Sequence, residues 1–426
     1  GALIAKGTSA SKITFTKNSS SSWGYILFSD SSTDAAYDTS GNYTSGSILE
    51  YCVVEYAGGA SVSENGAVRM DDAHPFINYC TIKNNSASGI YAWNLSGTLK
   101  ITNNSSTNNT GNGVYISSSS SGTITITNNT VTSNTSSSNG GGIYVNHSGI
   151  TNISNNIISN NSASYGGGIY TITTSSSASV VISGNTINNN TATSSGGGIY
   201  STTTSSTAAS YPPVTISGNT IRNNTTSSSG GGIYFNHSTA TISGNTISNN
   251  TATSSGGGIY SNDSPATISG NTISNNTVSS GAGGGINSYY SSITISGNTI
   301  SNNTATSSGG GIYSYSDYWG YSGPIISGNT ISYNNASSSG GGIYSSTSSS
   351  GSISGNTISN NTSSSNGGGI YVENSTVTKN SLTMNSAKNA SAVYYSGGNK
   401  NFTYNTITGN KATDSSNTYT VYISSN

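Results

Sequence analysis

The stretch ATISGNTISNNTATSSGGGIYS, residues 240–261, decides the fold. Counted from Asn245, an Ile stands three residues before, another two residues after, and a third in GGGIY. Close copies of this arrangement surround Asn104, Asn129, Asn156, Asn185, Asn219, Asn271, Asn298, Asn329, Asn356, Asn380 and Asn405, at nearly regular steps of a few tens of residues. A repeat of that length marks a solenoid, because one unit cannot bury its apolar face alone and must stack on its neighbours. TIS, GN, TIS, a glycine run and IY read as short period-2 strands separated by sharp bends. No window carries apolar residues at helical spacing, which excludes helical solenoids. Three short strands per unit make one coil of a parallel β-helix, each strand hydrogen-bonding to its equivalents about 4.8 Å above and below.

On these ISGNTISNN…GGGIY units the chain resembles the right-handed parallel β-helix repeats of the pectin lyase-like superfamily, over nearly its whole length. The expected fold is all-β, a right-handed parallel β-helix of about 14 coils forming a single domain over residues 1–426. Residues 1–100 are its irregular, more charged opening coils and hold 8 of the 12 acidic residues; residues 101–426 are the regular coils.

Of 426 residues only 5% are charged, and the formal net charge is −1. Composition alone, rich in Ser, Thr, Asn and Gly, would place such a chain among disordered ones. The repeat overrides that reading, since one inward Ile per strand stacks into a continuous ladder. A near-neutral surface argues against nucleic acid as partner, and no apolar run is long enough for a membrane span. Residue 1 is Gly and no signal peptide is visible, which suggests a processed or trimmed chain.

The ladder Asn, as at Asn185, Asn219, Asn245, Asn271, Asn298, Asn329 and Asn356, reads as structural. It tolerates the left-handed backbone of a bend, and stacked amides can hydrogen-bond from coil to coil. Cys52 in SILEYCVVEY and Cys80 in PFINYCTIKN fall in the same column of successive coils. Their spacing allows a disulfide, while the parallel Cβ vectors equally suit two stacked free thiols.

From ladder Asn to the following GGGIY Ile the separation is nearly constant from Asn129 onward, whereas from that Ile to the next ISGN Ile it varies more than twofold. Insertions therefore collect at one corner of the coil, and recognition is expected there. Tyr289, Tyr290, Tyr315, Tyr318, Trp319 and Tyr321 gather at that corner as a candidate surface for a ligand or partner. A second aromatic feature is the residue after the GGGIY Ile, Tyr in eleven coils from Tyr91 to Tyr394 and Asn287 in one. It reads as an outward stacked ladder or as a contact stripe.

Candidate chemistry is sparse. Arg69, Asp71, Asp72 and His74 in VRMDDAHPF superficially resemble glycoside hydrolases of the superfamily, but the flanking motifs are missing and a solvated polar edge is expected. His147 and His237 are isolated, so no metal site, cofactor or catalytic residue is assigned and the chain is read as a non-enzyme. N-x-S/T triplets occur at more than 25 positions. Asn134, Asn146, Asn189, Asn223, Asn236, Asn249, Asn275, Asn302, Asn335, Asn360 and Asn374 are the expected N-glycosylation sites.

The leading functional expectation is an extracellular structural protein of a cell-surface layer, sheath or filament, self-assembling head-to-tail or laterally and carrying N-glycans. The alternative is an adhesin that binds cell-surface polysaccharide through the aromatic corner. A polysaccharide lyase or hydrolase and an ice-binding protein with T-x-S columns such as Thr241/Ser243 and Thr246/Ser248 rank lower.

Overall fold

A computed structural model describes residues 1–204, 211–317, 320–397, 401–414 and 419–424. These form strands, bends and turns, with no helix. The chain divides into two compact units, the first comprising Gly1–Thr193, Ile199–Ser205 and Pro212–Val214, the second Ser194–Gly198, Ser206–Tyr211 and Thr215–Asn426. Each is a stack of parallel β-coils.

In the second unit one coil runs through Thr239–Ser243, Thr246–Ser248, the two-residue strand Thr251–Ala252, and Ile259–Asn262. The three strands expected from TIS, TIS and IY are all present, and the short pair after the NN corner adds a narrow further sheet. Pairing with the next coil is parallel and in register, Thr246 with Thr272, Ile247 with Ile273, Tyr260 with Asn287. Alternation sends Ile242, Ile247 and Ile259 inward, where each is fully buried. The first unit repeats the scheme with Ile126, Val131 and Ile143. Its opening is less regular: an antiparallel pair, Ala36–Tyr37 with Tyr43–Ser45, is inserted before the coils settle.

The ladder asparagines are buried, and the left-handed backbone expected of them lies elsewhere. The left-handed backbone belongs to the residue before them: Gly184, Gly218, Gly244, Gly270, Gly297, Gly328 and Gly355 have φ between 62 and 65°. Asn245 instead serves through its amide. Its Nδ2 donates to the Ile216 carbonyl one coil back at 2.8 Å and to Asn271 Oδ1 one coil on at 2.9 Å, and its backbone N–H donates to the same Oδ1 at 2.9 Å. A second inward ladder, absent from the sequence reading, follows the NN corner. Asn250 Nδ2 donates to Asn276 Oδ1 at 3.0 Å, and Asn276 to Asn303 at 3.0 Å. In the first unit Asn109, Asn134 and Asn161 form the same chain of amides. At this corner the left-handed residue is the first Asn of the pair, as at Asn249 with φ 56°.

The glycine triplet is explained by proximity. Gly256 takes φ 62°, while a Cβ on Gly257 would lie 2.5 Å from the Gly284 carbonyl oxygen and one on Gly258 2.6 Å from that of Gly285. Coils pack backbone against backbone there, and any side chain would push them apart.

Replacing Asn271 by Ala removes the acceptor of Asn245 and leaves the Ile242 carbonyl buried without its donor. Urea unfolding is expected to show a loss of about 3 kcal/mol or more, against about 0.5 kcal/mol or less for the outward Thr272→Ala.

Candidate functional site

Irregularity concentrates where the strand after GGG hands over to the next coil. In the second unit this corner column holds His237, Asp263 and Tyr290, all left-handed, with φ 53, 45 and 48°. Backbone bonds stack them: Asp263 N–H donates to the Tyr289 carbonyl at 3.1 Å and Tyr290 N–H to the Tyr315 carbonyl at 3.0 Å. Each lies four residues beyond the Ile of its GGGIY or GGGIN, so an identical offset was the signal available in sequence.

Asp263 is the centre of this edge. His237 Nε2 approaches its Oδ2 at 3.1 Å, and the Tyr321 hydroxyl donates to Oδ1. Tyr211, buried and 5.7 Å from the His237 ring, also bonds to Asp263; burial first and this carboxylate second push its phenol pKa up. The His237 ring is oriented through Nδ1, which lies 2.8 Å from Asn236 Nδ2, and Asn262 Nδ2 in turn donates to Asn236 Oδ1 at 2.7 Å. His237 is therefore not the isolated side chain its position in sequence suggests.

The aromatic group expected at this corner is assembled around that network. Tyr289 and Tyr290 rings lie 4.1 Å apart at 51°, Tyr289 stacks on Tyr315 at 5.6 Å, and Tyr290 is 6.3 Å from Tyr321. The exposed Asp317 accepts from the Tyr315 hydroxyl at 3.2 Å. Tyr290 has its phenol pKa raised by hydrogen bonds, to Tyr289 first and to Asp317 second. Tyr318 and Trp319 lie outside the described residues. The arrangement offers partly exposed ring faces beside carboxylate acceptors, which suits a polyhydroxylated ring: apolar C–H faces on tyrosine, hydroxyls on the acids.

The Tyr column after GGG is different. In the first unit Tyr91, Tyr115, Tyr144, Tyr170 and Tyr200 stack with centroids 4.2 to 5.3 Å apart and planes within 15°. In the second, Tyr313, Tyr344, Tyr371, Tyr394 and Tyr422 stack at 4.7 to 5.2 Å. Each interior ring presents only its edge to solvent, because its faces are covered by its neighbours. Burial first and neighbouring phenols second push Tyr170 and Tyr260 from 10.0 up to about 12. The geometry is that of a stabilising stack.

Around VRMDDAHPF each charged side chain has a structural partner. His74 is buried; its Nδ1 is 3.1 Å from Asp34 and its Nε2 accepts from Gly97 N–H at 3.1 Å. Asp71 accepts from Asn94 and Asp72 from the Ser96 N–H. Arg69 lies between the rings of Tyr25 and Trp93, 4.2 and 5.0 Å away. His147 is buried at 1% exposure, and desolvation lowers its pKa from 6.5 to about 4. Among the described residues no three metal-ligating side chains converge.

Cys52 and Cys80 are buried free thiols. Cys80 occupies the ladder, its N–H donating to Asn104 Oδ1 at 2.9 Å, and its sulfur lies 3.2 Å from the Leu49 carbonyl oxygen. Contact with the Cys52 thiol first and burial second push the Cys80 pKa up.

Of the expected glycan acceptors, Asn189, Asn223, Asn249, Asn275 and Asn302 are exposed at the NN corner and Asn335 just beyond it; Asn146, Asn236, Asn360 and Asn374 are half-buried. Asn134 is a correction. Its side chain is fully buried, and Nδ2, the atom that would carry a sugar, donates to the Ser106 carbonyl and to Asn161 Oδ1, both at 3.0 Å.

This all-β solenoid of stacked parallel coils defines the class of the protein. A family model described as the right handed beta helix region matches residues 2–181, 141–304 and 267–426, and the chain belongs to that family. No curated protein and no solved structure matches it.

Two outcomes are expected here. In an N-glycosylating host, glycopeptide mapping finds sugar on Asn249 and Asn275 and none on Asn134. Acid titration destabilises the first unit as pH falls from 6.5 to about 4, because the unfolded chain binds a proton that buried His147 refuses. The full effect is about 3 kcal/mol, and His147→Gln removes it from the pH dependence of thermal unfolding.

Proposed function

We propose that the protein is a rigid, non-catalytic scaffold of the cell surface that binds a carbohydrate through the loop edge of its second unit. The observation that carries this reading is the Tyr289, Tyr290, Tyr315 and Tyr321 cluster set beside Asp263 and Asp317. Between residues 101 and 372 the charged residues are Arg222, Asp263 and Asp317, and both acids are spent on this edge. Arg222 points outward from the separate strand Thr220–Arg222. A grouping of aromatic rings and acids on variable loops, in a stretch whose one other charge is Arg222, favours recognition over packing.

The ladders support the scaffold half of the reading. Two lines of inward amides and a stack of phenols brace each coil against the next, which makes a stiff support for a contact edge. A surface location is supported by the row of exposed N-x-T asparagines. Self-assembly into a layer or filament is a second reading, supported by the parallel edges that any β-coil offers to another copy.

A glycan array is the direct test. Tyr290→Ala and Tyr315→Ala are each expected to weaken binding of the best glycan by about tenfold or more, since loss of one stacking ring is worth on the order of 1.4 kcal/mol. The far-ultraviolet spectrum should stay unchanged. A wild-type chain that binds nothing on the array, or variants that bind as well as it does, would reject the reading.

A further inference from the structure

The outward faces of the second unit carry more regularity than the fold demands. Threonines from Thr246 through Thr357 stand in one register column, and serines from Ser248 through Ser359 in the next. The Ile between each pair is buried and holds the coil, but the outward positions have nothing to pack on. On the same sheet of the first unit the serine column is filled by Glu55 and Lys83. The fold thus tolerates charge there, as it does at Arg222, which stands in this column one coil before Ser248, and the five coils that follow use none.

The hydroxyls are also free. The threonines are exposed, and among the described residues none of these Thr and Ser side chains has a hydrogen-bond partner in the protein. In the first unit, by contrast, Thr107 and Thr132 bond to each other at 3.1 Å. The insertions that vary from coil to coil lie at the corner beyond Ile259–Asn262, off this sheet, so they do not interrupt it.

Spacing decides what such a face can hold. Coils are about 4.7–4.9 Å apart. Water molecules hydrogen-bond at about 2.7–2.8 Å, and two such bonds meeting at the tetrahedral angle put second neighbours about 4.5 Å apart. The mismatch is about 0.3 Å per coil and stays near 1 Å over three coils. A column of free hydroxyls can therefore hold a row of waters close to the arrangement they have in ice, and from Ser248 to Ser359 no charge stands within the column to organise them differently; Arg222 bounds it one coil before Ser248.

We propose that the threonine and serine face of the second unit binds ice, its ligand being the ordered surface of crystalline water. This site is separate from the aromatic edge and does not depend on it. Aromatic rings, which a crystalline polysaccharide would stack on, are missing from these two columns.

The test uses the full-length chain made without N-glycans, read by thermal hysteresis and by adsorption of the fluorescently labelled protein to a single ice crystal. The wild type is expected to shape growing ice and to concentrate on it. The double variant Thr272→Lys and Thr299→Lys should fall to the level of serum albumin, and its fold is protected because the same sheet already carries Lys83 on its outer face. Ser279→Lys, exposed beyond the neighbouring short strand, adds one lysine off the face and should behave as wild type. A wild type no more active than albumin, a double variant with unchanged hysteresis, or adsorption to crystalline cellulose without any effect on ice would each overturn the proposal.

Discussion

The structure depends on the amide hydrogen bond passed from coil to coil by inward asparagines. A β-coil turns its backbone sharply at each corner, and inward amides there donate to buried carbonyls of the adjoining strands. Asn245 and Asn250 satisfy the Ile216 and Ile221 carbonyls of the coil below and bond to Asn271 and Asn276 of the coil above. A buried polar group is tolerable only when fully bonded, and a ladder of identical amides satisfies each member by repetition. The same demand fixes the repeat length inside the coil, because an inserted residue between the two ladders would break both. Insertions therefore escape to the corner that carries no ladder.

That division of labour explains how a chain so poor in apolar residues holds a core. Each strand needs only one Ile or Val inward, since equivalents stack along the axis in both units. The Gly triplet lets backbones approach where no side chain fits, and the stacked phenols cover the outer side of the same strand. Outside these columns the fold makes few demands. What occupies the remaining outward positions is then informative, whether the acids and tyrosines of the loop edge or the hydroxyl columns that run from Thr246 to Ser359.

The edge shows how a solenoid assembles a site from distant residues. His237, Asp263 and Tyr290 come from three successive repeats, yet register makes them neighbours in one column. Tyr321 returns from a later insertion and Tyr211 from an earlier one, and both hydroxyls meet Asp263. None of these acids or the histidine belongs to a recognisable motif. Their meaning comes from stacking alone.

Periodicity of Ile, Asn and Gly was enough to determine the parallel β-helix, the inward Ile ladders, the outward Tyr column and the corner where insertions gather, because each follows from a spacing that only one backbone path satisfies. Tertiary structure decided what spacing leaves open. It put the left-handed bend on Gly244 and the amide work on Asn245, and it buried Asn134, whose triplet reads like those of its exposed neighbours. Cys52 and Cys80 became two thiols in a column that elsewhere needs amides, and Asp263 became the meeting point of two loops. A sequence repeat states which positions are equivalent. Whether an equivalent position faces water, a carbonyl or another ring depends on what the adjacent coils place against it.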